Sequence, residues 1–473
     1  MGVIQTIVKL STLSSNANLR LCFSKEAPKT SRKLVKLLDC LSLFESGSRP
    51  KGGIIYLEDE EEVAISLGGE QIGKDGRIDL SNMPLIPLEF YNSVEKGIVK
   101  RNDILVCKDG ALTGKCCFVD YNFPIDEIMV NEHVYIFRSN ETYMQKLLFF
   151  LIRDEYIQFQ IKDLAYRKKG QPGLNTEHLK LIKIPFFELD EQNQIVEKIK
   201  PIEQEMHKLK SQKKEYLEII NKVFADEFNI DLEKVFELNS IKSFNLKLQN
   251  IDFRNDLLRT SYKWHKLEAI QSFMYEEIDC IEKLGKFIIQ TKNGWSPESS
   301  EIEDGIPVLG QEHILKKGII DLNPSKYTTL TKSNIQDFFI KQNDFFVSRG
   351  NTVELVALAG VVSEEIEQDI IYPDLYIKID FQDEFVDKQY MSFLFNSFIG
   401  RIYFKHVAKG KNQTMVKVSS KELLEFYLPL PELSKQQQIV EKIKAQIDAQ
   451  KLIDKQIEKK QKKISKIIED CVK

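Results

Sequence analysis

The chain has 473 residues, of which 29% are charged and 42% hydrophobic, and its formal net charge at pH 7 is −4. This length allows two or three domains with hydrophobic cores of their own. No apolar run approaches the ~18 residues of a membrane span, no signal peptide is recognisable, and the seven scattered cysteines lack CxxC spacing. These features exclude membrane and secreted classes and predict a cytoplasmic protein with reduced thiols. The six histidines are isolated from one another, so we expect no structural metal.

Residues 30–189 are predicted to form a mixed α/β domain, because short apolar runs alternate with Gly, Asn and Asp turns. Strands are expected at Ile104–Val106, Cys116–Val119 and His133–Phe137. The aromatic-rich segment Tyr143–Phe159 is expected to be helical and to face the core. The sequence GALTGK at 110–115 is one residue short of a phosphate-binding loop and is followed by Cys116 instead of Ser or Thr, so a hairpin turn is the favoured interpretation.

A long helix is predicted to follow this domain. Apolar residues recur there at alternating steps of four and three, at Ile195, Ile199, Ile202, Met206 and Leu209. Such spacing is typical of the seam between paired helices. About 35 residues at ~1.5 Å each would make a rod of roughly 50 Å. Pro201 removes a hydrogen bond inside this helix, so we expect a bend at that residue.

Residues 280–433 are predicted to repeat the mixed α/β pattern. Strands are expected at Val308–Gly310, Phe345–Val347 and Leu355–Val361, and an aromatic-rich, core-facing helix at Lys388–Tyr403. A second long helix follows at the C-terminal end of the chain. Its predicted seam contains the apolar residues Ile439, Ile443, Ile453, Ile457 and Ile464, with the polar residues Gln446, Gln450 and Lys460 at the remaining positions.

The two halves carry an internal repeat. The residues QIVEKIK occur 244 residues apart (438 − 194), inside the windows 184–200 and 428–444, which are identical at 11 of 17 positions. The G-x-x-P turns at 47–50 and 294–297 recur in the same order at a similar offset. A repeat of roughly 240 residues is far longer than the periods of about 20–50 residues that mark solenoids. It therefore indicates duplication of a whole domain together with its trailing helix.

The two repeated helices are expected to pack on each other. Neither apolar seam has a predicted partner within its own half, and equivalent positions after equivalent domains favour an antiparallel pair about a pseudo-twofold axis. The alternative is that each helix packs on the surface of its own domain.

Each half has a basic, glycine-containing segment just before its closing strand and helix. Residues 162–183 carry six Lys or Arg against two acids, and residues 401–421 carry six Lys or Arg and no acid. One such cluster is usually a solvated face. Its recurrence at equivalent places in both halves favours binding of a polyanion.

Sequence signatures of catalysis are missing from the chain. It has no Pro-Pro pair, which excludes the Asn/Asp-Pro-Pro-Tyr/Phe loop of amino-methyltransferases, and no G-x-G-x-x-G opens a helix. Neighbouring acids such as Asp383 and Glu384 are typical of loops. The sequence therefore predicts a protein that is not itself an enzyme.

These features together resemble the specificity subunits of type I restriction-modification systems. The most specific feature is the duplicated Pro-…-Glu-Leu-x-x-Q-x-Q-I-V helix start, and the resemblance covers nearly the whole chain. The supporting motifs are SGSRPKGGI at 46–54, the D-I-L-V…T-G-K hairpin at 103–115 with its D-F-F-V counterpart at 344–347, KKGQPGLN at 168–175, KGKNQT at 409–414, and the short segments Leu19–Leu21 and Phe253–Asp256.

The resemblance implies an α+β fold with two pseudo-symmetric mixed α/β target-recognition domains separated by two long antiparallel coiled-coil helices. The implied division is 1–188 for the first recognition domain, 189–228 for the central conserved helix, 229–432 for the linker and second recognition domain, and 433–473 for the C-terminal conserved helix. Each recognition domain would read one half of a split, asymmetric DNA site, with half-sites about one helical turn, ~34 Å, apart.

The resemblance also implies a non-catalytic subunit that works within a complex. Its implied partners are double-stranded DNA, two adenine methyltransferase subunits and two restriction (motor-nuclease) subunits, with no membrane involved. S-adenosylmethionine would be bound by the methyltransferase, and ATP and Mg²⁺ by the motor-nuclease. No cofactor is expected on this chain.

The DNA contacts are expected from the basic segments and the G-x-x-P turns. Phosphate contacts are predicted for Arg49, Lys51, Arg167, Lys168 and Lys169 in the first domain and for Arg349, Lys405, Lys409 and Lys411 in the second. Gln171 and Gln413 are candidates for reading adenine, and the arginines for reading guanine.

Other interpretations stay open at this point. A two-lobed coiled-coil scaffold that binds other proteins would have no DNA affinity. A specificity subunit of a related system, with methyltransferase and nuclease fused in one partner chain, would carry the same motifs. An enzyme with an unfamiliar site is the least favoured interpretation.

Overall fold

The computed structural model describes residues 28–50, 62–73, 75–78, 84–121, 123, 126–166, 172–241, 262–412 and 415–473. These residues form two compact units. The first unit contains the described residues up to Gln212 together with Ile453–Lys473, and the second unit contains Lys213–Leu452. Residues 453–473 thus pack with the first α/β domain.

The first unit is a mixed α/β structure. Its strands are β1 (Leu34–Lys36), β2 (Leu41–Ser46), β3 (Val63–Leu67), β4 (Leu85–Pro87), β5 (Ile104–Cys107), β6 (Cys116–Phe118), β7 (Ile128–Val130), β8 (Val134–Ser139) and β9 (Lys183–Pro185). Its helices are α1 (Leu88–Ser93), α2 (Gln145–Arg153), α3 (Glu155–Ala165), α4 (Thr176–Leu181) and α5 (Leu189–Ser211). The strands pair in the orders β2-β8-β5-β6, β4-β3-β7 and β1-β9.

The second unit begins with helices and continues with a larger set of strands. Its helices are α6 (Tyr216–Phe228), α7 (Leu232–Ser240), α8 (Tyr262–Tyr275), α9 (Lys388–Asn396), α10 (Phe398–Val407), α11 (Ser420–Leu424) and the part of α12 (Leu433–Val472) up to Leu452. Its strands are β10 (Ile281–Lys283), β11 (Ile288–Asn293), β12 (Ile306–Val308), β13 (Ile314–Leu315), β14 (Ile319–Ile320), β15 (Lys326–Thr328), β16 (Phe345–Ser348), β17 (Gly350–Asn351), β18 (Ala359–Val361), β19 (Tyr376–Phe381), β20 (Lys409–Asn412), β21 (Met415–Lys417) and β22 (Tyr427–Pro429). They pair in the orders β11-β19-β16-β18-β14-β13, β12-β15, β17-β21-β20 and β10-β22.

The two units share one internal design, which confirms the predicted α+β duplication. The antiparallel order β2-β8-β5-β6 of the first unit corresponds to β11-β19-β16-β18 of the second. The registers match as well, since Ile104 faces Phe137 and Phe345 faces Ile379. The aromatic-rich segments form the helix pairs α2–α3 and α9–α10, and buried residues of all four helices lie in the cores, as predicted. GALTGK lies in the turn between β5 and β6.

Each unit contains one antiparallel helix pair. In the first unit α5 packs with residues 453–472 of α12, where Ile195, Ile199 and Ile202 share a core with Ile457 and Ile464, while Leu209 and Ile453 are partly buried against it. In the second unit α6 packs with the first half of α12, where Ile439 and Ile443 lie in the core. The direction follows from contacts at both ends: the backbone N–H of Lys214 donates to Gln450 Oε1 at 2.9 Å, and the end of α6 supplies Glu227 to Lys435 and Lys442.

The helix after the first domain differs from the expected single rod. Helix α5 continues through Pro201 without interruption, and the chain leaves the helix at Gln212 to restart as α6 after Glu215. The proline is exposed, so water can hydrate the carbonyl that it leaves without a partner, while Ile199 and Ile202 on either side are held in the core. The C-terminal counterpart α12 is unbroken over its 40 residues.

Two further sequence predictions need correction. Gln446 is exposed, and the neighbouring Ile447 occupies the buried position instead, because both satisfy helical spacing and the apolar side chain gains more from burial. The expected strand Leu355–Val361 is a strand only from Ala359. The residues before it form a turn, in which the N–H groups of Leu355 and Val356 donate to the carbonyl of Thr352 and Ala357 takes a positive φ of 58°.

The repeated motif docks each long helix onto its domain through one buried glutamine. Gln192 is fully buried; its Oε1 accepts the backbone N–H of Met144 at 2.8 Å, and its Nε2 donates to the carbonyls of Thr142 and Phe187, both at 2.9 Å. Gln436 makes the same three contacts in the second unit, with Asp387 N–H at 2.9 Å and the carbonyls of Phe385 and Pro431 at 2.8 Å. These bonds satisfy backbone groups at the entry to α2 and α9.

Candidate nucleic-acid interface

Four chain segments meet at one end of the central sheet in the first unit. Strands β2 and β5 end there and β8 begins there, because neighbouring strands are antiparallel. The meeting segments, which we call the first loop surface, are 47–50, 108–110, 131–133 and 172–174. A Cβ on Gly47 would lie 1.6 Å from the carbonyl oxygen of Val130, so this turn requires glycine. The N–H of Leu174 donates to the carbonyl of Lys108 at 2.7 Å, which joins the end of the basic segment to the turn after β5.

The second unit brings the equivalent segments together. We call them the second loop surface: 294–297, 349–351, 373–375 and 415–418. A Cβ on Gly294 would lie 2.1 Å from the carbonyl oxygen of Pro373. The N–H of Val418 donates to the carbonyl of Arg349 at 2.9 Å, and β17 pairs with β21. The same backbone frame therefore presents a surface in both units.

The first loop surface carries a chain of contacts in which basic and acidic residues alternate. Arg49 Nε lies 3.2 Å from the Glu132 carboxylate, and the other oxygen of that carboxylate lies 3.3 Å from His133 Nε2. The Nδ1 of His133 lies 2.8 Å from the Asp109 carboxylate. The ammonium of Lys108 lies 5.3 Å from the ring centroid of Tyr135. Except for Tyr135, which is buried, these side chains are exposed or partly exposed, so the surface offers both donors and acceptors to a ligand.

The second loop surface has different chemistry on the same frame. Ser296 stands where the first surface has Arg49, and it hydrogen-bonds the carboxylate of Asp374. Arg349 Nη1 lies 3.4 Å from the carbonyl oxygen of Asp374, which is a weak contact that leaves most of the guanidinium available. The hairpin β20–β21 extends this surface with a basic strand pair.

A buried carboxylate holds the base of that hairpin. Lys409 Nζ lies 2.6 Å from Glu422 Oε1, and the backbone N–H of Ser419 donates to Glu422 at 2.9 Å. Burial disfavours the ionised form of Glu422, but the hydrogen bonds from Lys409 and Ser419 outweigh it and lower its pKa from 4.5 to about 2. Lys409 therefore has a structural partner in addition to its exposure to solvent.

The structure places the predicted DNA-contacting residues unevenly. Arg49 and Arg349 lie on the two loop surfaces, and Lys409 lies beside the second. Lys405 lies on α10 and forms an ion pair with Glu354. Lys411 is described only by its backbone in β20. Lys51, Arg167, Lys168, Lys169, Gln171 and Gln413 lie outside the described residues, as do Leu19–Leu21 and Phe253–Asp256.

Sequence reasoning missed most polar residues of the first loop surface. Lys108 and Asp109 directly follow the observed strand β5, and Glu132 and His133 directly precede β8, but nothing in their spacing links them. The antiparallel order of the sheet brings these strand ends together, and that order was not predicted.

The described residues show no sign of a metal site or of a membrane segment. Within them, no group of three or more His, Cys, Asp or Glu side chains is arranged to hold a metal ion. None of the helices in those ranges is long and apolar enough to cross a bilayer.

Comparison with known family models finds one similarity, in the first half of the chain. Residues 74–218, which span most of the first unit and the first residues of α6, match the family described as type I restriction modification DNA specificity domain. The matched part of the chain is therefore similar to this specificity domain. A search of curated proteins finds no match to this chain.

Three solved structures similar to this chain are described as parts of type I restriction-modification systems. A chain from a study of complex assembly and conformational transition of the type I R-M system is 13% identical, covers 95% of this chain and 98% of its own length, and has a TM-score of 0.42. The HsdS subunit from Thermoanaerobacter tengcongensis is 14% identical with coverages of 93% and 96% and a TM-score of 0.31. The type I S subunit from M. genitalium is 13% identical with coverages of 97% and 98% and a TM-score of 0.37.

Proposed function

We propose that this chain reads a bipartite, asymmetric DNA site, with the first loop surface contacting one half-site and the second loop surface the other. The observation that carries the proposal is one backbone frame that occurs twice with different side chains. Arg49 is replaced by Ser296, Lys108 by Arg349, and His133 by Leu375 at equivalent positions. A shared backbone frame with different hydrogen-bond donors and acceptors is consistent with two surfaces that contact different bases.

We also propose that each half of the chain binds one copy of the same partner, an adenine methyltransferase subunit. Four residues of the repeated QIVEKIK segment are exposed in both copies: Gln194 and Gln438, Glu197 and Glu441, Lys198 and Lys442, and Lys200 and Lys444. Packing does not require identical side chains at exposed positions. A common binding partner accounts for their identity in halves that otherwise differ.

The chemistry then belongs to the partners. We propose that the methyltransferase binds S-adenosylmethionine, and that two motor-nuclease subunits, which use ATP and Mg²⁺, complete the complex. The chain itself determines which DNA sequence the complex binds. A related system with methyltransferase and nuclease fused in one partner would use the same surfaces.

The decisive experiment is single-molecule methylome sequencing of cells that express this chain with the methyltransferase encoded beside it. The expected result is a methylated adenine in each half of one split motif, lost when this chain is deleted. Methylation that persists without this chain would assign specificity to the other subunit and would favour the scaffold interpretation.

A second experiment tests the contribution of the basic segment of the first unit. Reversing the charges of Arg167, Lys168 and Lys169 is expected to weaken DNA binding by the complex and to flatten its dependence on salt. The chain on either side of these residues is anchored at the first loop surface, since the N–H of Gly173 donates to the carbonyl of Ala165 at 3.2 Å. An unchanged salt slope would remove this segment from the interface.

Native mass spectrometry tests the number of methyltransferase copies. We expect two copies on the unmodified chain, one on Lys200→Glu or Lys444→Glu, and none on the double variant. Lys459→Glu is the control, because Lys459 is exposed on α12 outside the repeated window. Equal stoichiometry in all variants would refute binding through the repeated segment.

A further inference from the structure

A cluster of lysines and aromatic rings lies next to the second loop surface. Trp295 belongs to the G-x-x-P turn, and its ring centroid is 6.3 Å from that of Phe338. The ammonium of Lys332 lies 3.6 Å from the Phe338 centroid and 4.3 Å from the Trp295 centroid. The ammonium of Lys292, near the end of β11, lies 5.1 Å from the Phe338 centroid. Two cations from distant parts of the chain thus share one ring.

We infer that this lysine–aromatic cluster is a binding site for a phosphodiester of the DNA backbone, in the half-site read by the second unit. The inference deepens the proposed function and rests on it. The DNA contacts predicted from the sequence did not include Lys292, Lys332 or Trp295. The two lysines are 40 residues apart in the sequence (332 − 292), so their spacing does not indicate that they lie together.

The electrostatics of the cluster favour an anion. Ring faces hold the Lys332 ammonium in place by cation–π attraction, so its position is fixed before a ligand arrives. Burial, and then repulsion from Lys292, lowers the pKa of Lys332. A phosphate oxygen between the two ammonium groups would relieve that repulsion and would restore hydrogen bonds to a partly desolvated cation.

A carboxylate near the cluster does not prevent an anion from binding there. Asp337 lies 3.4 Å from Lys292 Nζ, and both side chains are substantially exposed, at 55% and 40%. An exposed ion pair of this length contributes little stability, so Lys292 can exchange it for a phosphate at small cost. One carboxylate against two ammonium groups leaves the cluster with a net positive charge.

Among the residues of the first unit that the structure describes, no such cluster occurs, although the frame is the same. Glu45 stands at the position of Lys292, two residues before the glycine of the G-x-x-P turn, and its carboxylate accepts the N–H of Gly97 at 2.9 Å. Ser48 stands at the position of Trp295. The charge at this strand position is therefore reversed between the halves, and the G-x-x-P turn carries an aromatic ring only in the second.

The test uses the complete complex and a duplex that carries the motif found by methylome sequencing. The double variant Lys292→Gln/Lys332→Gln is expected to lower the slope of log K against log salt by about 0.9, because the two lysines together bind one phosphate. The ratio of affinities at about 50 and 200 mM salt should then fall about 3.5-fold. The double arginine variant, which keeps both charges, should retain the slope of the unmodified complex.

Lys286→Gln is the matched control. Lys286 also forms an exposed ion pair, with Glu282 at 2.6 Å, but it lies before the start of β11, whereas Lys292 lies near the end of that strand. A slope in the glutamine double variant equal to that of the control would refute the phosphate site while leaving the proposed function intact. Loss of DNA binding or motif methylation in the unmodified complex would instead refute the proposed function.

Discussion

Replacement of Gln192 by alanine should release the start of α5 from the first α/β domain. The side chain is fully buried and joins three backbone groups from two segments of the chain. Alanine can make none of these bonds, and no other side chain of the described residues donates to or accepts from the same backbone groups in the native structure.

The expected magnitude follows from these contacts. A buried hydrogen bond contributes about 1 kcal/mol, and the lost buried methylene contributes about 0.8 kcal/mol, so the three bonds and the methylene together make the loss about 4 kcal/mol. A difference of this size changes an opening equilibrium by roughly 1,000-fold. The backbone N–H of Met144 loses its acceptor directly and should show the full effect.

Hydrogen exchange measured by mass spectrometry provides the assay, because the two-unit chain is not suited to a single unfolding midpoint. The peptide that contains Met144 should exchange faster by up to three powers of ten in Gln192→Ala. Gln194→Ala is the control, since Gln194 lies in the same helical turn and is exposed. If the two variants exchange alike, the glutamine does not dock the helix and the reasoning fails.

Three further predictions concern the two units separately. Gly47→Ala should destabilise the first unit by about 2–5 kcal/mol because of the clash with the Val130 carbonyl, whereas Gly173→Ala, whose new Cβ would meet nothing closer than 3.4 Å, should be nearly neutral, and hydrogen exchange of first-unit peptides measures both effects. The pKa of Glu422 is lowered in the folded state, so its stabilising contribution is present above pH 4.5 and is lost as the pH falls towards about 2; Glu422→Gln should remove that part of the acid sensitivity, and identical acid unfolding curves would contradict the assignment. Burial raises the pKa of the Cys116 thiol to about 12, so iodoacetamide at pH 8 should leave Cys116 unmodified in the folded protein and label it only in urea.

Much of the architecture could be predicted because the same sequence motifs occur in both halves of the chain. The helix starts, the G-x-x-P glycines and the aromatic core helices recur in both halves, and each has a local physical cause visible in the sequence. Gly47 and Gly294 are needed for the close approach of another chain segment. The break between α5 and α6 carries no glycine or proline in 212–215, so sequence signals alone do not locate it.

The candidate site was less predictable, because contacts between distant residues create it. Asp109 and His133 are 24 residues apart and meet only through the pairing of β5 with β8. The choice between Gln446 and Ile447 at the helix seam likewise depends on which side chain the second unit can bury. Spacing rules allow both residues, and tertiary packing selects one of them.

The membership of residues 453–473 in the first unit has a consequence for the time course of synthesis. The apolar side chains of α5 are covered by a segment that leaves the ribosome 240 residues later (213–452). At a synthesis rate of about 5–20 residues per second, residues 453–473 follow the rest of the first unit after about 12–48 s. Throughout that interval Ile195, Ile199 and Ile202 are open to chaperones or to the same helix of a neighbouring nascent chain. A transcript truncated before codon 453 makes that exposure permanent.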